Sequence, residues 1–193
     1  SHAAVVVMIN SRLPFEVFST HHLTPLTHKL VVTEVNRERR RVIELNGLPA
    51  AQVYADLVGV APEQLSAVIF ARHPLAVRIG GQRVHSDGSL SFYCAVENGI
   101  VLTAMQSTPL LENLKIMLAG VSARLGTPSV IIGCDCFLRR MELEALEHVE
   151  QASQLLRQAG VVGFNTYGEQ HHGMHVNQTF TGVAFGSLPA NDV

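Results

Sequence analysis

"VVGFNTYGEQHHGMHVNQTFTGVAFG" spans Val161 to Gly186, and its reading decides the architecture. Both ends are rich in β-branched and aromatic residues and read as strands. Between them Gly168 and Gly173 break any helix and mark turns. The middle gathers Glu169, Gln170, His171, His172, His175, Asn177 and Gln178. Three readings stay open for it: a solvated turn, a metal site using His171 and His175, or a small-molecule pocket. An apolar wall carrying a few convergent polar groups is the usual make-up of a small-molecule site. Amides and a carboxylate beside core strands cost about 1–3 kcal/mol each if buried without partners.

Outward from this stretch, Leu138 to about Ala159 reads as one long helix ended by Gly160, preceded by a buried strand in "SVIIGCDC". Leu110, Leu111, Leu114, Met117, Leu118, Val121 and Leu125 recur at helical spacing, with Ser107 or Thr108 as the expected cap and Gly126 and Pro128 as the stop. Ala67 to Thr103 reads as an antiparallel meander with turns at "ARHP", "IGGQ", "SDGS" and "ENG", the "SDG" and "ENG" turns closing hairpins. A helix is expected from near Pro49 to Val58, and a short helical turn at Pro62–Leu65. Leu30–Val35 and Arg41–Leu45 form a hairpin whose tip is the basic run Arg37–Arg41. "HHLTPLTH" is expected to be irregular because Pro25 has no backbone donor. Ala4 to Ile9 and a segment from Pro14 read as strands. The fold class is therefore α+β: a largely antiparallel or mixed β-sheet with packed helices.

The 193 residues suit one domain with at most a remnant of a second. Hydrophobic residues reach 47% against 16% charged, which supports a substantial core and argues against disorder. A net charge of −2 gives no footprint for nucleic acid. No apolar run reaches the roughly 18 residues of a membrane helix, so no membrane contact is expected. Three cysteines argue against a disulfide framework and for a reducing, cytoplasmic compartment. The strand-like opening suggests a piece cut from a longer chain, whose unpaired edges favour a homodimer.

Cys134 and Cys136 face one side of a strand and Asp135 the other. Arg139 and Arg140 follow as the helix begins. Glu142, Glu144, Glu147 and Glu150 read as a solvated helix face. His21, His22 and His28 lie in the proline-bearing connector. No nucleophile–base motif, phosphate loop or dinucleotide fingerprint is present, so no enzymatic activity is expected.

Three motifs in order resemble the FIST sensory domain. Gly163, Phe164, Thr166, Tyr167, Gly168 and Glu169, followed by Asn177 and Thr179, resemble its C-terminal signature. Cys136, Arg139 and Arg140 resemble its strand-end motif, and Leu45, Asn46, Gly47, Pro49 and Ala50 its helix start. The resemblance implies a bacterial ligand-sensing domain in signal transduction, with residues 1–28 a remnant of FIST N, 29–188 FIST C and 189–193 a tail. It is closest to the nitric-oxide-sensing haem proteins of this family, known as NosP, which regulate a histidine kinase or a cyclic-di-GMP enzyme. It implies a haem with one axial histidine, from His175, His22 or His28. The alternative is a small polar metabolite such as an amino acid, held by Tyr167, Glu169, Gln170, Asn177, Arg139 and Cys136. Arg139 would meet its carboxylate and Glu169 its amino group.

Overall fold

The computed structural model describes residues 4–76, 82–92 and 94–187. Part of the "IGGQ" turn and the tail from residue 188 lie outside the described residues. Two larger sheets, each with its own helices and core, and a small two-stranded one make an α+β architecture, as the residue pattern predicts.

The first sheet contains β1 (Phe15–Thr20), β9 (Val130–Cys136), β10 (Val161–Thr166) and β13 (Phe180–Phe185), in the order β1-β13-β9-β10. β9 and β10 are parallel; the other pairs are antiparallel. Parallel neighbours need a crossover, and α4 (Phe137–Ala145) and α5 (Val149–Gln158) supply it. The expected single helix is broken at Leu146–His148, where Glu147 takes a left-handed φ of 56°. The break re-aims the chain so that Ala152 joins Leu143, Ile131 and Phe180 in one core, with α3 (Leu110–Leu125) packed alongside. The opposite sheet face leaves Phe15, Val17, Ile132, Val162 and Phe164 exposed.

The second sheet is antiparallel throughout. It holds β2 (Leu23–Asn36), β3 (Arg41–Leu45), β5 (Leu75–Ala76), β6 (Gln82–Val84), β7 (Leu90–Phe92) and β8 (Val101–Ser107) in the order β5-β8-β2-β3-β7-β6, with β4 (Leu48–Pro49) on β3. α1 (Ala50–Val58) and α2 (Ala67–Arg72) cover it, and Tyr54 stacks on Phe70 within that core.

Several expectations fail for physical reasons. "HHLTPLTH" is strand from Leu23 on rather than irregular throughout: Pro25 opposes Met105, and a register shift between Pro25 and Lys29 absorbs the irregularity. β3 pairs only with the far half of β2, so Pro25 sits where no second neighbour needs its missing donor. Ala67–Arg72 is helical, because Ser66 accepts from the Ile69 amide as an N-cap. The "SDG" turn closes the β6–β7 hairpin, but Gly99 of "ENG" leads into a β8 that is separated from β7 by β2 and β3. Neither Ser107 nor Thr108 caps α3; Thr108 donates to the His22 carbonyl instead. Ala4–Ile9 has strand-like residues but no ladder partner among the described residues, and it stays exposed.

Candidate functional site

β9 and β10 end on the same side, and the carboxyl ends of parallel strands frame the usual crevice of an open sheet. β9 passes straight into α4. β10 passes through Tyr167 and Gly168 into the hairpin of β11 (Glu169–His171) and β12 (Met174–Val176), which returns through Asn177–Thr179 to β13. Three polar segments therefore meet at the first turn of α4, and Thr179 is tied there by its carbonyl, which accepts from the Cys136 amide at 3.0 Å.

Arg139 is the largest fully buried side chain, 1% exposed. Its Nε donates to Asp135 Oδ1 at 2.6 Å, and its Nη1 lies 3.2 Å from His22 Nδ1. A guanidinium only donates, so His22 Nδ1 accepts and the imidazole proton sits on Nε2. That Nε2 donates to Glu142 Oε2 at 2.7 Å. Asp135, Arg139, His22 and Glu142 form one series of buried charge-assisted bonds. The His22 carbonyl is fixed by Thr108, whose amide and hydroxyl donate to it at 2.7 and 2.8 Å.

A second arm centres on Glu169, also buried. Thr179 Oγ1 donates to its Oε2 at 2.8 Å and Thr166 Oγ1 to its Oε1. Burial pushes the Glu169 carboxyl above the usual range, against the two threonine bonds. Burial likewise raises Asp135, with Arg139 opposing. Burial, with Glu169 nearby, pushes the Cys136 thiol up to about 11, so it is a protonated thiol rather than a ready metal ligand.

Three buried polar atoms here have no partner among the described residues: Arg139 Nη2, Asn177 Oδ1 and Gln178 Oε1. Gln178 is held with φ 56°, a left-handed backbone that costs an ordinary residue roughly 1–2 kcal/mol. Its Nε2 donates to the Ala71 carbonyl at 2.6 Å, which ties this loop to α2 of the other core. Gly168 lies beneath the hairpin, where a Cβ would lie 2.3 Å from the exposed His175 ring and would push it aside.

Of the residues expected in the site, Arg139 is bonded to His22, Cys136 lies near Glu169, and Asn177 is buried where the β11–β12 hairpin returns to β13. Tyr167 does not join them: it is exposed and rests on Phe137, ring centroids 5.4 Å apart. Gln170 and His175 face each other across the β11–β12 hairpin, both exposed, and His28 is exposed on β2. Glu142, expected to be solvated, is buried against His22. Asp135 and Gln178 also belong to the site. Glu142 lies three positions after Arg139 and one before the buried Leu143, so the helical period already placed it on the inward stripe.

No group of three histidine, cysteine or acidic side chains among the described residues is placed to hold a metal ion. The histidines do not fit a haem axial role. His22 has both ring nitrogens engaged by buried charged partners, and His28 and His175 lie on the surface. No helix among the described residues is long and apolar enough to cross a membrane.

The FIST C domain family model matches residues 50–172, and the FIST N domain model matches residues 1–48. The chain belongs to the FIST C domain family. FIST domains are ligand-sensing domains of signal transduction. Comparison with curated proteins and with solved structures gave no match.

Proposed function

We propose that this FIST domain senses a small zwitterionic metabolite of the amino-acid class at the carboxyl ends of β9 and β10. The observation that carries this reading is the trio of buried unpartnered atoms. Arg139 Nη2 is a charged donor that calls for an anionic oxygen, and a carboxylate supplies one. Asn177 Oδ1 and Gln178 Oε1 are acceptors that call for a donor, and an ammonium supplies three. Leaving them empty costs about 1–3 kcal/mol each, which a guest of that chemistry returns on binding.

The guest would touch both cores at once, because Arg139 stands in α4 and Gln178 is bonded to α2. Ordering that junction is the signal, passed to a partner such as a histidine kinase or a cyclic-di-GMP enzyme. The haem and nitric-oxide reading rests on the NosP resemblance, and the engaged His22 speaks against it.

An amino-acid panel tested by thermal shift separates the two. A binder at one hundred times its dissociation constant stabilises by about 2.7 kcal/mol. The expected result is a saturable rise for one member, lost in Asn177→Leu, with no Soret band retained after haemin and gel filtration. A retained Soret band together with silence across the panel would reverse the assignment.

A further inference from the structure

A second cavity, about 190 Å³, opens between the β9–β10 edge and α5. Gly133 and Gly163 are paired in register on the sheet floor; the Phe180 ring lies over Gly133, and Val161, Asp135 and Asn165 line the same space. The floor cannot be filled from the sheet: a Cβ on Gly163 would lie 1.8 Å from the Gly133 carbonyl oxygen. α5 lines the roof with Ala152 and Ser153, both small. The volume exceeds the roughly 150 Å³ of an engineered apolar cavity that takes up benzene.

The polar lining is acidic in character. Asp135 lines the cavity, and its Oδ1 accepts from Arg139. Asn165 donates its amide to the Asp135 carbonyl at 3.3 Å, which leaves its Oδ1 as an acceptor. Arg140 also lines the cavity, but its charge is met by Glu144 at 2.6 Å. Beside the partly exposed Asp135, buried Glu142 and Glu169 stand with one buried guanidinium, that of Arg139, and His22 accepts at Nδ1 from that guanidinium.

We propose that this cavity is a second binding site, for a primary amine on a compact apolar body, the body over Gly163 and against the Phe180 ring and the ammonium between the Asp135 carboxylate and Asn165 Oδ1. It does not rest on the zwitterion reading: it shares Asp135 with that site but uses none of its unpartnered atoms and needs no carboxylate on the guest.

Benzylamine is the probe, titrated into the whole chain and followed by calorimetry and by amide NMR. The expected result is one saturable site with a dissociation constant on the order of 1 mM, as suits so small a ligand. Benzyl alcohol, which keeps the body and loses the charge, binds about tenfold weaker, equivalent to roughly 1.4 kcal/mol. Ser153→Leu fills the roof and weakens benzylamine at least about tenfold, whereas Asn177→Leu leaves it within about twofold. NMR shifts in the wild type cluster on Gly133, Gly163 and α5, a readout that stands even if a variant folds poorly. No saturable binding, equal binding of the alcohol, shifts elsewhere, or loss in Asn177→Leu instead of Ser153→Leu would each overturn the proposal.

Discussion

Arg139 illustrates how much a single side chain carries here. It satisfies Asp135 and His22 while fully buried, and through His22 it holds Glu142. Arg139→Ala strands the Asp135 carboxylate and leaves His22 Nδ1 without its donor, so urea denaturation is expected to show a loss of about 3–5 kcal/mol. Glu169 behaves in the opposite sense. Its folded carboxyl holds a proton more tightly than the unfolded one, so stability falls as pH rises from the ordinary glutamate range through the folded-state value. Glu169→Gln removes that dependence. Denaturation midpoints from about pH 4 to pH 8 are expected to coincide at the acid end and to favour the variant at the neutral end. Arg139, Glu169 and Asn177 were legible as site residues because the motif and the density of polar groups marked them. Glu142 was not: its partner His22 is 120 positions away, and composition alone makes a glutamate in "RRMELE" look solvated. His22 was legible as special, but a sequence cannot show that both its nitrogens are taken.

At the level of elements, periodicity found α1, α3 and β9 because their apolar spacing is strong and uninterrupted. It merged α4 with α5, since nothing in "LEALEHVE" signals that Glu147 adopts a left-handed backbone. It also placed Ala67–Arg72 in a strand, because Val68, Ile69 and Phe70 carry β propensity that tertiary packing and the Ser66 cap override. The parallel pairing of β9 and β10 was hidden, although it is what aligns two strand ends at the site. Phe180 and Phe164 give a contrast within one sheet. Phe180 is buried over Gly133, where a Cβ would sit 2.5 Å from its ring, while Phe164 is 68% exposed on the other face. Phe180→Ala is expected to cost about 3–5 kcal/mol in chemical denaturation. Phe164→Ala is expected to stay within about 0.5 kcal/mol. Equal losses would mean that the open face is covered.

Across the whole molecule, polar contacts help to join the two larger cores. Gln178 reaches from one core to the Ala71 carbonyl of the other, and α2 packs on α4 beside Glu142. A junction made this way is specific in geometry and modest in net stabilisation, which suits an element whose arrangement a ligand can bias. The α+β class and the family were readable from the chain; the division into two cores was not, because β2 runs unbroken from the junction at Leu23 and its apolar pattern does not mark the change of sheet. The measurement closest to the central claim is a crystal structure with the amino acid that scores in the thermal-shift panel. A carboxylate within about 3.2 Å of Arg139 Nη2 and an ammonium on Asn177 Oδ1 or Gln178 Oε1 is the predicted result. Those three atoms saturated by ordered water, with the amino acid bound elsewhere, would contradict it.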